Sequence, residues 1–258
     1  MPNPDHPYYL LSATCRQHHA TLVAVSKTRS VEEVEEVYQM GQRIFAENRV
    51  QELLEKSPAL PKDIEWHLIG HLQTNKVRSI IPYVSCIQSL DRINLWDKIQ
   101  EEAVRSGKKI KCLLQIKIAA EETKYGWNFE ELNNILLSDK HRTCPDVIIC
   151  GVMGMASLTD DLIQVRNEMK SLKASFDHLK DYHFKNDPIF DTISMGMSGD
   201  YNIALEEGSK MIRIGSLLFS KKQRISKSYP RKTVGKTLPH FNITSQWSLV
   251  LTSHHYSA

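Results

Sequence analysis

Short runs of β-branched and aliphatic residues alternate along this chain with segments whose apolar positions recur every three or four residues. Thr21-Leu22-Val23-Ala24-Val25, β-branched at its start and apolar from Leu22 on, has the pattern of a buried strand. Ser30 with Glu33 three residues later predicts a capping box, and Val31, Val34, Val37 and Tyr38 then share one helical face that Gly41 closes. The same alternation predicts strands at 43–46, 66–69, 84–87, 112–116, 147–152, 192–195 and 211–214. Helices are expected from about Asn48, over 75–81, 91–105 and 128–138, through Leu162, Val165, Met169, Leu172, Phe176 and Leu179, and briefly after Asp200.

Eight strands, each joined to the next by a helix, imply a parallel sheet, and eight such units close into a TIM-type (β/α)8 barrel of the α/β class. An open doubly wound sheet is the alternative. It would want a G-x-G-x-x-G turn after an early strand, and that turn is absent. The length of 258 residues suits one barrel of about 250. With 41% apolar and 24% charged residues the chain buries a sizeable core. No apolar run approaches the roughly 18 residues that would span a bilayer. The start lacks a cationic segment feeding an apolar one, so no secretory leader is expected. Cys15, Cys86, Cys112, Cys144 and Cys150 are odd in number and scattered, without a C-x-x-C pair. That excludes a disulfide framework or metal centre as the natural reading and makes a reducing cytoplasm the expected compartment.

The net charge of +3 conceals a division. Lys221, Lys222, Arg224, Lys227, Arg231, Lys232 and Lys236 stand in a tail without acids, so residues 1–220 are net negative. A barrel over 1–220 followed by a basic extension over 221–258 is the expected organisation. The extension has the composition of a mobile, disordered segment, and the cluster around Trp247–Leu251 is too small to make a domain. Neither nucleic-acid nor membrane binding by the whole fold is indicated.

In such a barrel functional groups project from the C-terminal ends of the strands, and phosphates bind after strands seven and eight. Lys27 follows strand one directly. A lysine is most often a solvated surface group, but at a barrel mouth its amine is placed to form a Schiff base. Met195-Gly196-Met197-Ser198-Gly199-Asp200 and Arg213-Ile214-Gly215-Ser216 follow strands seven and eight. Glycines there let backbone N–H groups and serine hydroxyls approach an anion. A reactive lysine facing a phosphate cradle points either to pyridoxal 5′-phosphate (PLP) or to a phosphosugar held by a Schiff-base aldolase. The aldolase is the weaker reading, because such enzymes usually carry the lysine on a later strand.

From Leu22 to about Phe219 the chain resembles the pyridoxal phosphate homeostasis (YggS/PROSC) family. The resemblance rests on Leu22–Thr28, Phe45–Glu52, Trp66–Lys76, Lys124-Tyr125-Gly126, Gly151-Val152-Met153, Ser194–Asp200 and Met211–Ser216. It implies a barrel like the N-terminal domain of alanine racemase with PLP at its mouth. By the same resemblance Lys27 holds PLP as an aldimine, and Ser194, Ser198, Gly215 and Ser216 cradle the phosphate. Arg213 faces the pyridine nitrogen and Asn48 lines the ring. It also implies a monomeric carrier or buffer of PLP without catalytic residues or turnover, passing the cofactor to PLP-dependent apoenzymes. His67 is open between a core role and a ligand contact. Lys117, where the family commonly has Asn, either pairs with a carboxylate or points a second amine toward the mouth. The segment before Leu22 is short and carries prolines where the family has a fuller helix, so the lower face of the barrel is expected to be poorly covered. The rival reading is a PLP-dependent amino-acid racemase. Racemases of this barrel class carry a second domain that supplies the opposing base, and only about 40 polar, basic residues follow strand eight.

Overall fold

Strands and helices alternate from residue 21 onward as the pattern predicts. The computed structural model describes residues 5–119 and 125–219. Residues 221–258, and with them the expected disorder of the tail, lie outside the described residues, as do Lys124 and Ser220. The first half runs α1 (Pro7–Gln17), β1 (Thr21–Val25), α2 (Val31–Gln39), β2 (Ile44–Glu47), α3 (Val50–Lys56), β3 (Glu65–Leu68), α4 (Val77–Ile80) and β4 (Val84–Leu90). The second runs α5 (Ile93–Ser106), β5 (Ile110–Gln115), α6 (Phe129–Leu137), α7 (Lys140–Thr143), β6 (Val147–Met153), α8 (Leu162–Tyr182), β7 (Thr192–Ser194), α9 (Tyr201–Glu206) and β8 (Met211–Ile214). The eight strands form a closed parallel barrel in sequence order, β8 returning to β1 with Arg213 beside Val23. This is the expected (β/α)8 architecture; the open sheet is excluded.

Local chemistry sets the ends of the helices. The Ser30 hydroxyl accepts from the Glu33 N–H at 3.3 Å, and the Glu33 carboxylate accepts from the Ser30 N–H at 2.9 Å, completing the capping box of α2. Asn128 and Asp161 cap α6 and α8 through their side chains. Two elements depart from the sequence reading. An 11-residue helix, α1, precedes β1 where the prolines argued against one. Pro7 stands in its first turn, where the missing N–H is not needed, and Tyr8, Leu11 and Cys15 turn one face toward β1. β4 extends to Leu90 because its polar residues find partners. Gln88 joins a hydrogen-bond chain inside the barrel, and Ser89 donates to the Gly70 carbonyl at 2.7 Å.

Alternate strand residues divide between two cores. Leu22, Ala24, Cys112 and Leu114 join the large cluster between sheet and helices. Val23, Val25 and Ala46 form one cluster inside the barrel, and Cys86, Leu113, Cys150 and Met153 form another. Gly151 has φ +148°, and a Cβ built on it would lie 1.8 Å from the Thr192 carbonyl oxygen on β7. The closure between β6 and β7 therefore needs glycine at this position.

Gly151→Ala is expected to destabilise the barrel by about 3 kcal/mol or more, through a clash with backbone that cannot yield. Gly107→Ala, at φ +63° with open space around it, should cost only about 1–2 kcal/mol. Urea unfolding of both variants checks this; equal losses would show that β6 and β7 have room to separate.

Candidate functional site

Lys27 stands two residues past β1, exposed at the C-terminal mouth. Its neighbours are held from below. Ser26 is wholly buried, and its hydroxyl donates to Glu47 Oε1 at 2.7 Å. Thr28 takes φ +63°, and its N–H donates to Glu52 Oε2 at 2.6 Å. A left-handed backbone at such a residue costs about 1–2 kcal/mol and persists only where surrounding bonds enforce it. Lys56 Nζ ties the two anchors together, donating to the Ser26 carbonyl at 2.7 Å, Glu47 Oε1 at 2.7 Å and Glu52 Oε2 at 3.1 Å. Burial pushes the Glu47 carboxyl up, and its bonds to Lys56 and Ser26 only partly offset this. Burial also works to raise Glu52, but the Thr28 N–H and Lys56 outweigh it and hold that carboxyl below its usual range. The loop that presents Lys27 is thus gripped on both sides by one buried ammonium and two carboxylates.

Arg213 projects from β8 into the barrel, only 3% exposed, and forms no ion pair among the described residues. Its Nη2 donates to the Gly154 carbonyl at 2.9 Å and its Nη1 to Ser194 Oγ at 2.6 Å. Burial pushes its pKa down to about 10, partly offset by the Asp200 carboxylate, and it remains charged. An arginine can only donate, so Ser194 accepts from it and turns its own proton to Gln88 Oε1 at 2.7 Å. The Gln88 amide nitrogen is thereby aimed at His67 Nδ1, 2.9 Å away. This makes Nδ1 an acceptor and leaves the imidazole proton on Nε2. Burial, with a contribution from the Lys111 ammonium, pushes the His67 pKa down to about 4 and keeps the ring neutral. His67 belongs to this chain in the barrel interior.

Two glycine loops flank Arg213. Gly196 has φ +95°, and a Cβ there would meet the Ala204 Cβ at 2.5 Å, so the β7 loop turns tightly against α9. Met197 and Asp200 close that loop through the Asp200 carboxylate, which accepts from the Met197 N–H. Gly215 approaches the Val25 carbonyl so closely that an added Cβ would lie 3.2 Å from it, bringing the exit of β8 beside the strand that leads to Lys27. Among the described residues the backbone N–H groups of Ser198, Gly199, Gly215 and Ser216 donate to no protein acceptor. Asn48 follows β2 half-buried, and Gly70 abuts it: a Cβ on Gly70 would meet the Asn48 carbonyl at 2.1 Å. Lys117 lies on the exposed rim beyond β5. Among the described residues no group of three or more His, Cys, Asp or Glu side chains is arranged for a metal ion, and no helix is long and apolar enough to cross a membrane.

The family model for the N-terminal domain of alanine racemase matches residues 5–223. The pyridoxal phosphate homeostasis protein of Aquifex aeolicus is 37% identical over 206 residues, covering 79% of this chain and 88% of its own. This chain belongs to that family. Its human member is 36% identical over 222 residues, 82% of this chain and 80% of the human one. Among solved structures, PipY of Synechococcus elongatus PCC7942 with PLP bound is 30% identical with a TM-score of 0.73, covering 82% of this chain and 99% of PipY. Alanine racemase of Bartonella henselae, 15% identical with a TM-score of 0.60, shares the fold over 57% of its length.

Sequence reading singled out Lys27, Asn48, Ser198, Arg213, Gly215 and Ser216, and the structure sets all of them on the C-terminal half of the barrel or the loops leaving it. Ser194 differs in setting: its hydroxyl lies inside the barrel, committed to Arg213 and Gln88. Glu47, Glu52, Lys56 and Gln88 escaped notice. The i, i+4 spacing of Glu52 and Lys56 was a signal, but on a helix it reads equally as a solvated pair.

The depressed pKa of His67 sets a pH dependence. The unfolded chain protonates this histidine near 6.5, the native chain only near 4. The stability it contributes is therefore complete above pH 6.5 and lost as the pH falls through 4, up to about 3 kcal/mol in all. Urea unfolding at pH 7 and pH 4.5 should show a smaller acid loss for His67→Gln than for the parent; equal losses would mean that another group controls this window.

Proposed function

We propose that this chain binds PLP at the upper mouth of its barrel and acts in PLP homeostasis as a carrier or buffer without turnover of its own. The observation that carries this reading is Arg213, a buried guanidinium without a carboxylate beside loops of unused N–H donors. A buried cation calls for an electron-rich partner, and spare N–H groups call for an anion. A phosphorylated pyridine supplies both. Ser198, Gly215 and Ser216, with the N–H of Gly199, would hold the phosphate. Arg213 would donate to the ring nitrogen, and Asn48 would line the ring. Ser194 is read as the group that steers Arg213, since its hydroxyl is already engaged on both sides. Lys27 supplies the amine, on a loop that Glu47, Lys56 and Glu52 keep from drifting. When bound, the cofactor contributes an aldehyde that condenses with amines.

The names of the relatives and the PLP bound in PipY support this reading. A PLP-dependent racemase is the second reading. The Aquifex and human relatives align over 88% and 80% of their own length, and Bartonella racemase over 57%, which favours the first. An arginine on the ring nitrogen would keep it unprotonated and make the ring a weak electron sink, a feature that by itself does not separate the two readings. The carrier is read as a cytoplasmic monomer that hands PLP to apoenzymes; five buried free thiols suit a reducing compartment.

Purified protein loaded with PLP should be yellow, and borohydride should fix the pyridoxyl group to Lys27 in a peptide map. Label mainly on Lys117 or Lys124 would overturn the assignment. With L-alanine in deuterated water, chiral chromatography should find no sustained formation of D-alanine. D-alanine production abolished by Lys27→Ala would establish the racemase instead.

A further inference from the structure

A cavity opens at the end of the barrel opposite the mouth, among the first residues of the strands, and encloses about 240 Å³. Its lining is graded. His67, Cys86 and Leu113 are buried and form the floor; Thr21, Ile44, Thr192 and Met211 are half-buried and form the wall. Glu65 on β3 and Lys111 on β5 stand exposed at the rim. α1 packs against β1 and leaves this opening uncovered among the described residues.

The floor carries a directed donor. His67 is 4% exposed, and the chain from Arg213 through Ser194 and Gln88 occupies its Nδ1 and leaves the proton on Nε2. That N–H has no acceptor among the described residues. An acceptor entering the cavity would take this N–H without displacing a protein partner. At the rim, neither Glu65 nor Lys111 forms an ion pair or side-chain hydrogen bond among the described residues, although both line the same space. Lys111 is close enough to depress His67, and both rim charges act on Cys86, so the groups share one neighbourhood. A simple anion would suit His67 and Lys111 but oppose Glu65. A simple cation would suit Glu65 and oppose Lys111. A small zwitterion satisfies all three, with Ile44, Leu113 and Met211 as an apolar wall for its side chain.

We propose that this lower cavity binds a small free α-amino acid, its carboxylate received by His67 Nε2–H and Lys111 and its ammonium by Glu65. The site lies at the opposite end of the barrel from the mouth that holds Lys27.

The test is a titration of the uniformly ¹⁵N-labelled full chain with L-alanine and L-valine, followed by amide and lysine side-chain NMR. Acetate and methylamine serve as half-ligands. Saturable shifts are expected at Thr21, Lys111 and Thr192, with Gly215 and Ser216 unmoved. Lys111→Met and Glu65→Gln alter exposed rim residues and should preserve the fold, and each should weaken amino-acid binding about tenfold. Either half-ligand alone should bind at least tenfold more weakly than alanine. The proposal is overturned if shifts appear only around Gly215 and Ser216, or if none saturates at tens of millimolar. It is overturned equally if acetate matches alanine and Glu65→Gln changes nothing, which would leave an anion site in its place.

Discussion

Arg213 carries a positive charge into the barrel on β8, where no carboxylate among the described residues forms an ion pair with it and little solvent reaches it. Enclosing an ion costs several kcal/mol even after relaxation, so the groups around it are not free to point elsewhere. Gly154 gives a carbonyl and Ser194 an oxygen lone pair. Once Ser194 accepts from Arg213, its proton goes to Gln88, the amide of Gln88 is oriented, and the tautomer of His67 follows. One obligatory donor therefore sets the direction of each hydrogen bond from Ser194 through Gln88 to His67. The two ends of the barrel are linked by this polarity, and a polar middle layer replaces the aliphatic filling that such barrels usually have.

The mouth is organised on a different principle. There the Lys27 amine is left exposed while its flanking residues are fixed. Ser26 and Thr28 are bound to a Glu47–Lys56–Glu52 cluster, its first two members buried, that lies behind the loop. The arrangement leaves the Lys27 side chain exposed and removes freedom from the backbone that carries it. A strained φ at Thr28 is the cost, met by a short bond to Glu52. A charge cluster of this kind adds little net stability compared with an apolar packing of the same volume. Its value here lies in holding one loop in one shape.

The likeness to alanine racemases at 15% identity shows how far one scaffold stretches. Fold is shared with those enzymes, and a shared fold does not fix what its loops and interior polar residues do. The glycines make the same point at the scale of single atoms. Gly151 lets two strands close, Gly70 lets the β3 loop lie on Asn48, and Gly215 lets the β8 exit reach Val25. The first is a demand of the barrel and the other two are demands of the mouth.

The order and type of the elements from β1 to β8 were legible in the chain because each carries its own period, its own cap or its own glycine stop. The capping box at Ser30 and the left-handed Gly107 are local events, decided within a few residues. Lys27, Arg213 and the two glycine loops were legible because a barrel puts strand ends on one face, and because they sit in motifs of a family. α1 was hidden, since prolines at 2, 4 and 7 read as breakers until Pro7 is seen in the first turn of a helix. Only tertiary structure decided the rest. Glu47 and Lys56 look like surface charges in sequence, and Gln88 looks like the polar end of a strand. Their burial depends on partners contributed by other strands and helices: Ser194 lies 106 residues from the Gln88 to which it donates. Propensity and periodicity act over a few residues, whereas a buried polar group is permitted only by whatever the closed barrel brings to it. The chain determines that a barrel forms and where its mouth lies; the closure of β8 onto β1 decides which polar residues can be inside it.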